Sequence, residues 1–172
     1  HYDAAPGAGA FTTKDFQAAM LFPGCARLSN NNIFACGIAH PVDTVTAMIF
    51  NTGSNTFGPQ KKFYLSEIVD AGMTVTYAAG PNGKLIIVFN PYADGGGNFG
   101  LNRMFISSST DNGTTWNTPS VLYNPSIING DTVVPYFGVD AIYDQAGNYY
   151  VVFNSLAPSG EYSTAKLWVI KN

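Results

Sequence analysis

Apolar residues recur along this chain in short runs of strand length, broken by clusters of Gly, Asn, Ser, Thr and Asp. Leu85-Ile86-Ile87-Val88-Phe89 and Tyr149-Tyr150-Val151-Val152-Phe153 are two such runs. No stretch carries a useful helical period, and residues 15–21 form the one weak candidate. No apolar run approaches the roughly 20 residues that a membrane helix needs. The pattern predicts an all-β chain of many strands joined by polar turns.

The strands repeat. Residues 139–154 read as strand, turn, strand, and residues 75–90 match them without a gap, Val139 on Val75, an offset of 64. Gly83 falls on Gly147, and Val88-Phe89-Asn90 on Val152-Phe153-Asn154. Residues 25–36 are a third, more divergent copy. Each copy runs on into another strand, at 45–51, 103–108 and 164–171. Ser109-Thr110-Asp111-Asn112-Gly113-Thr114-Thr115-Trp116 follows the second of these. An Asp in such a turn bonds backbone N–H groups ahead of it, Gly113 supplies positive φ, and Trp116 buries a large ring as the next strand begins near 119–123.

This S-x-D-x-G-x-T-W run resembles the Asp box of the sialidase-type (BNR-repeat) β-propellers. The resemblance implies four-stranded blades around an axis, with Ser109, Asp111, Gly113, Thr115 and Trp116 as fold residues on the face opposite the substrate site. Residues 51–59 look like a degenerate copy, with Phe57 in the Trp place. The implied fold is an all-β propeller-type repeat of about three blades, near residues 20–66, 67–123 and 124–172. A flexible segment, 1–9, precedes them. A strand at 10–17 is expected to complete the last blade, with Phe11 standing where Trp116 stands. Three blades are too few to close a propeller, which takes about 4–8. A six-bladed ring is therefore expected, closed by a homodimer or by a missing half of a longer protein. The other outcome is an open head-to-tail assembly in which the N-terminal strand passes from subunit to subunit, as expected of a structural surface protein that assembles by strand exchange.

Composition narrows the function. Charged residues make up 11% of the 172, with a net charge of −3. That leaves no basic patch for nucleic acid and no polybasic membrane anchor. Pairing Leu28 with Ile33 across the turn at 29–32 sets Cys25 opposite Cys36, and a cross-strand disulfide is expected there, with two packed thiols as the alternative. The expected location is extracellular, secreted or at the cell surface.

Mapped on the repeats, the candidate ligand face comprises loops 39–44, 91–102 and 155–163 and blade entries 21–24, 67–73 and 123–136. These hold His40, Asp43, Asp70, Tyr92, Asp94, Asn98, Arg103, Asp131, Tyr136, Glu161 and Tyr162. Aromatic rings stack on sugar C–H faces and carboxylates accept hydroxyl hydrogens, so a carbohydrate or surface polymer is the expected partner. Asp94, Asp131 and Glu161 are the acids to consider for glycoside hydrolysis. The family binds its substrate carboxylate with three arginines, whereas this chain has only Arg27 and Arg103, so sialic-acid hydrolysis is not expected. No cofactor is expected. Asp94 and Asn98 offer two oxygens to a calcium ion. His1 and His40 make a copper set of the secreted monooxygenase kind, which the repeats do not support. Asp140, on an innermost strand, falls on Thr76 and so is an acid that the fold itself does not require.

Overall fold

The computed structural model describes residues 2–3, 11–12, 20–39, 44–65, 72–92, 103–156 and 166–172. Two short strands, β1 (Tyr2–Asp3) and β2 (Phe11–Thr12), pair with each other. Three larger antiparallel sheets follow in chain order. Blade 1 holds β3 (Met20–Arg27), β4 (Ile33–Ala39) and β5 (Thr44–Asn51), with β6 (Thr56–Phe57) and β7 (Lys61–Tyr64) both paired to β5. Blade 2 is β8 (Gly72–Ala79), β9 (Leu85–Tyr92), β10 (Met104–Ser109) and β11 (Ser120–Tyr123), in that order across the sheet. Blade 3 is β12 (Ser126–Ile128), β13 (Asp131–Tyr143), β14 (Tyr149–Leu156) and β15 (Lys166–Lys171). The chain is all-β, with propeller-type blades.

The repeat holds at the level of register. Val75 pairs with Phe89 and Val139 with Phe153, and the offset of 64 persists to Ala79–Leu85 and Tyr143–Tyr149. The turns match too. Gly80 donates its N–H to the Lys84 carbonyl, and Asp144 does the same to Asn148. Gly83 and Gly147 sit at φ 78° and 82°, where a Cβ is disfavoured. Blade 1 repeats this geometry: the Leu28 N–H donates to the Asn32 carbonyl, and Asn31 takes the positive φ.

That turn corrects the expected cysteine pairing. Arg27, not Leu28, lies opposite Ile33, so Cys25 pairs with Ala35 and Cys36 with Gly24. A shift of one residue sends the two side chains to opposite faces. Cys25 is exposed, Cys36 is buried, and both are free thiols. Other boundaries also move. Met20 and Leu21 belong to β3 rather than to a helix. Asn129-Gly130, both at positive φ, form a two-residue hairpin between β12 and β13 inside the expected entry loop 123–136. Phe11 and Thr12 pair with β1, and β15 pairs with β14 alone among the described residues.

Packing explains the apolar run of β9. Leu85 through Phe89 are all fully buried. Leu85, Ile87 and Phe89 join Phe34, Cys36, Val45 and Phe63 of blade 1, whereas Ile86 and Val88 join Ala78 and Val151 at the junction with blade 3. A strand with a neighbour on each face needs no polar alternation. Burial of each such side chain contributes about 1.5–3 kcal/mol.

Candidate binding site on the propeller axis

The turn end of the blades is tied together. Asp111 Oδ1 accepts from the Ser109 hydroxyl at 2.8 Å and the Thr115 N–H at 2.9 Å, and Oδ2 accepts from the Thr115 hydroxyl at 2.6 Å. These bonds, Thr115 first and then Ser109, pull the exposed Asp111 carboxyl down to about 2. Trp116 donates its indole N–H to the Gly113 carbonyl and packs on Phe34 and Phe63 of blade 1. The Asn112 N–H reaches the Gly83 carbonyl, the Ser29 hydroxyl reaches Asn112 Oδ1, and Lys84 Nζ reaches the Gly147 carbonyl. The carboxylate of Asp111 is thus spent on its own turn. In blade 1, Asn51 Oδ1 accepts from the N–H groups of Gly53 and Ser54 in the corresponding turn, while Phe57 packs on Phe50.

Three strands approach one another: β3 and β8, which open blades 1 and 2, and β13, the second strand of blade 3. By repeat register Gly24, Thr76 and Asp140 are equivalent: they pair with Cys36, Val88 and Val152 respectively. They meet in space. The Thr76 hydroxyl donates to Asp140 Oδ1 at 3.2 Å, and the Ala141 N–H donates to the same oxygen at 2.8 Å. Asp140 Oδ2 takes no hydrogen bond from the described residues. Tyr77 lies over Gly24 so closely that a Cβ there would collide with the phenol oxygen. A glycine is therefore required for Tyr77 to reach the axis.

A cavity of about 280 Å³ opens at this point, lined by Gly24, Cys36, Gly37, Thr76, Tyr77 and Asp140 among others. Burial pushes the Cys36 thiol up to about 12, so it stays protonated and unreactive. Burial, followed by the nearby Cys25, Cys36 and Asp140, also raises Tyr77, which remains a neutral phenol able to donate. A carboxylate, a hydroxyl, a phenol and two glycines around a small cavity can hold a hydroxyl-rich ligand against bare backbone.

The residues expected at the site divide. Asp43, Asp70, Asp94, Asn98, Glu161 and Tyr162 lie outside the described residues, as do His1 and His40, and with them the calcium and copper sets. Asp131 is held by an ion pair to Lys166 between β13 and β15. Tyr136 sits in the irregular stretch of β13 between Pro135 and Val139, and its carbonyl accepts from the amide of the fully buried Asn90. Tyr92 closes β9, and Arg103 stands half-buried just before β10. Arg27 caps the opposite, turn end and donates to Asn31 Oδ1. The two arginines thus stand at opposite ends of their blades. Asp140 was legible as an innermost acid. Tyr77 and Gly24 were not, since their contact joins two blades. Among the described residues no group of three or more His, Cys, Asp or Glu side chains is placed to hold a metal ion.

The fold has solved relatives in shape. A Hadza microbial sialidase superposes with a TM-score of 0.63 at 11% identity, covering 90% of this chain and 35% of its own. The Trypanosoma rangeli sialidase, solved with the inhibitor DANA, gives 0.66 at 13% identity, with 90% and 29% covered. A polysaccharide lyase, an ulvan lyase, gives 0.57 at 13% identity, with 88% and 41% covered. The chain spans about a third of the length of these structures, and the likeness is one of fold. No protein-family model matches the sequence, and a comparison with curated proteins returns no match. No helix among the described residues is long and apolar enough to cross a membrane.

Proposed function

We propose that this chain is a secreted or cell-surface module that recognises a glycan or similar hydroxyl-rich polymer through the axial pocket at Thr76, Tyr77 and Asp140. The observation that carries the reading is the convergence of three register-equivalent positions on β3, β8 and β13, one of them an acid that the repeat does not require, on one cavity. The sialidase and lyase shapes of its structural relatives support the same class of ligand. Recognition is preferred to hydrolysis because glycoside hydrolases other than sialidases, which use a Tyr nucleophile, mostly place two carboxylates across the scissile bond, roughly 5–9.5 Å apart. Asp140 is the one carboxylate among the described lining residues. The ring is completed beyond three blades by a second copy of the chain or by further blades of a longer polypeptide.

A glycan array probed with labelled protein tests this reading. Wild type binds a defined set of sugars and releases them intact. Asp140→Ala loses that binding, whereas Asp131→Asn keeps it. Binding that survives Asp140→Ala and Tyr77→Phe together moves the site off the axis. Steady release of shortened glycan makes the chain a hydrolase instead.

A further inference from the structure

We propose that the axial pocket selects sugars without a carboxylate, neutral or amino, over uronic and sialic acids; this rests on the glycan-binding reading above. The pocket is built from acceptors. Asp140 is acceptor-only when ionised, and Oδ1 is already engaged, so Oδ2 is left for the ligand. Thr76 spends its one hydroxyl proton on Asp140 and turns lone pairs to anything that enters. Cys36 offers only a weak S–H. Tyr77 is then the main side-chain donor of the lining among the described residues.

Charge points the same way. No lysine or arginine lines the cavity among the described residues. Arg27 is bound to Asn31 on the turn face, Lys84 to the Gly147 carbonyl, and Arg103 stands just before β10, outside the cavity lining. An entering carboxylate would meet Asp140 with no compensating cation and few donors among the described lining residues. A like charge a few ångströms from the exposed Asp140 carboxylate is disfavoured, most of all at low salt. A hydroxyl supplies the donors that the pocket lacks, and an ammonium adds attraction.

The test is titration calorimetry at low salt with size-matched oligosaccharides: amine-bearing glucosamine oligomers, their N-acetylated forms, oligogalacturonates and a sialylated lactose. Wild type is expected to bind the amine-bearing oligomers at least roughly tenfold more tightly than the acidic ones. Asp140→Asn weakens binding in general but brings the classes to within about twofold of each other. Thr76→Val, which keeps the carboxylate, retains the discrimination. Acidic oligosaccharides that bind wild type as well as the others overturn the selectivity and leave the glycan reading standing. Failure of every sugar class to bind overturns the glycan reading itself.

Discussion

At Ala78, on the face of blade 2 turned to blade 3, the side chain is 6% exposed; at the equivalent Ile142 of blade 3 the figure is 63%. Ile106 of blade 2 is half-buried, packed into the junction, whereas Val169, its counterpart beside Val152, is 60% exposed. The backbone register is the same in both sheets. What differs is the neighbour: blade 3 covers blade 2, and nothing described covers Ile142, Val169 and Leu167. Lys171 reaches over the Tyr150 ring on the same open face. A blade's own sequence thus sets its strands and register, while burial of its faces is decided by the blade beside it. The open face keeps the apolar character of a covered one, which supports a ring that continues past blade 3.

The largest expected effect separates those two faces. Ala78→Asp buries an unpaired carboxylate between blades and should cost roughly 3–5 kcal/mol, whereas Ile142→Asp should stay within about 0.5 kcal/mol in the isolated chain. Urea denaturation of both variants checks this, and equal losses would mean that blade 3 is covered as blade 2 is.

A second pair compares the turns. Gly113→Ala places a Cβ 2.9 Å from Ile49 at φ +83°, inside a packed junction, and should cost about 2–3 kcal/mol. Gly147→Ala has the same backbone conflict at φ +82°, but its closest contact is the far end of the long Lys84 side chain, so about 1 kcal/mol is expected. Thermal melts of the two variants decide whether packing adds to the backbone term.

Acid titration gives the third. Asp111 is depressed to about 2 when folded, against about 3.9 for a free Asp. Its ionised form therefore favours the fold fully above about pH 4, and that contribution is lost as pH falls through about 2. The stability advantage of wild type over Asp111→Asn should be complete at neutral pH, shrink between about pH 4 and pH 2, and vanish below that. An advantage that does not change with pH would mean that the carboxylate charge plays no part in the turn. The smallest effect is at the exposed Asp131–Lys166 pair, where Asp131→Asn should change stability by less than about 1 kcal/mol.

Much of this architecture is legible in the sequence, because the offset of 64 between residues 75–90 and 139–154 carries both register and turn type. The Ser109–Trp116 turn is local, and its bonds lie within eight residues. The cysteine register is missed because the turn of blade 1 has Asn31, rather than Gly, in the left-handed position. Aligning Asn31 with Gly83 and Gly147 recovers it. Asn129-Gly130 is a strong hairpin signal hidden inside a segment read as a loop. The site itself is only half legible. Asp140 stands out as an acid where the repeat has Thr76, but Tyr77 reaching over Gly24 is a meeting of two blades that no local pattern contains.

Hydrogen exchange with and without a bound glycan tests the axial site most directly. Ligand should slow exchange in the peptides spanning Gly24, residues 74–78 and residues 138–141, on three strands far apart in sequence, and leave the Ser109–Trp116 turn unchanged. Protection confined to the turn face, or to one blade alone, would contradict a site shared by β3, β8 and β13.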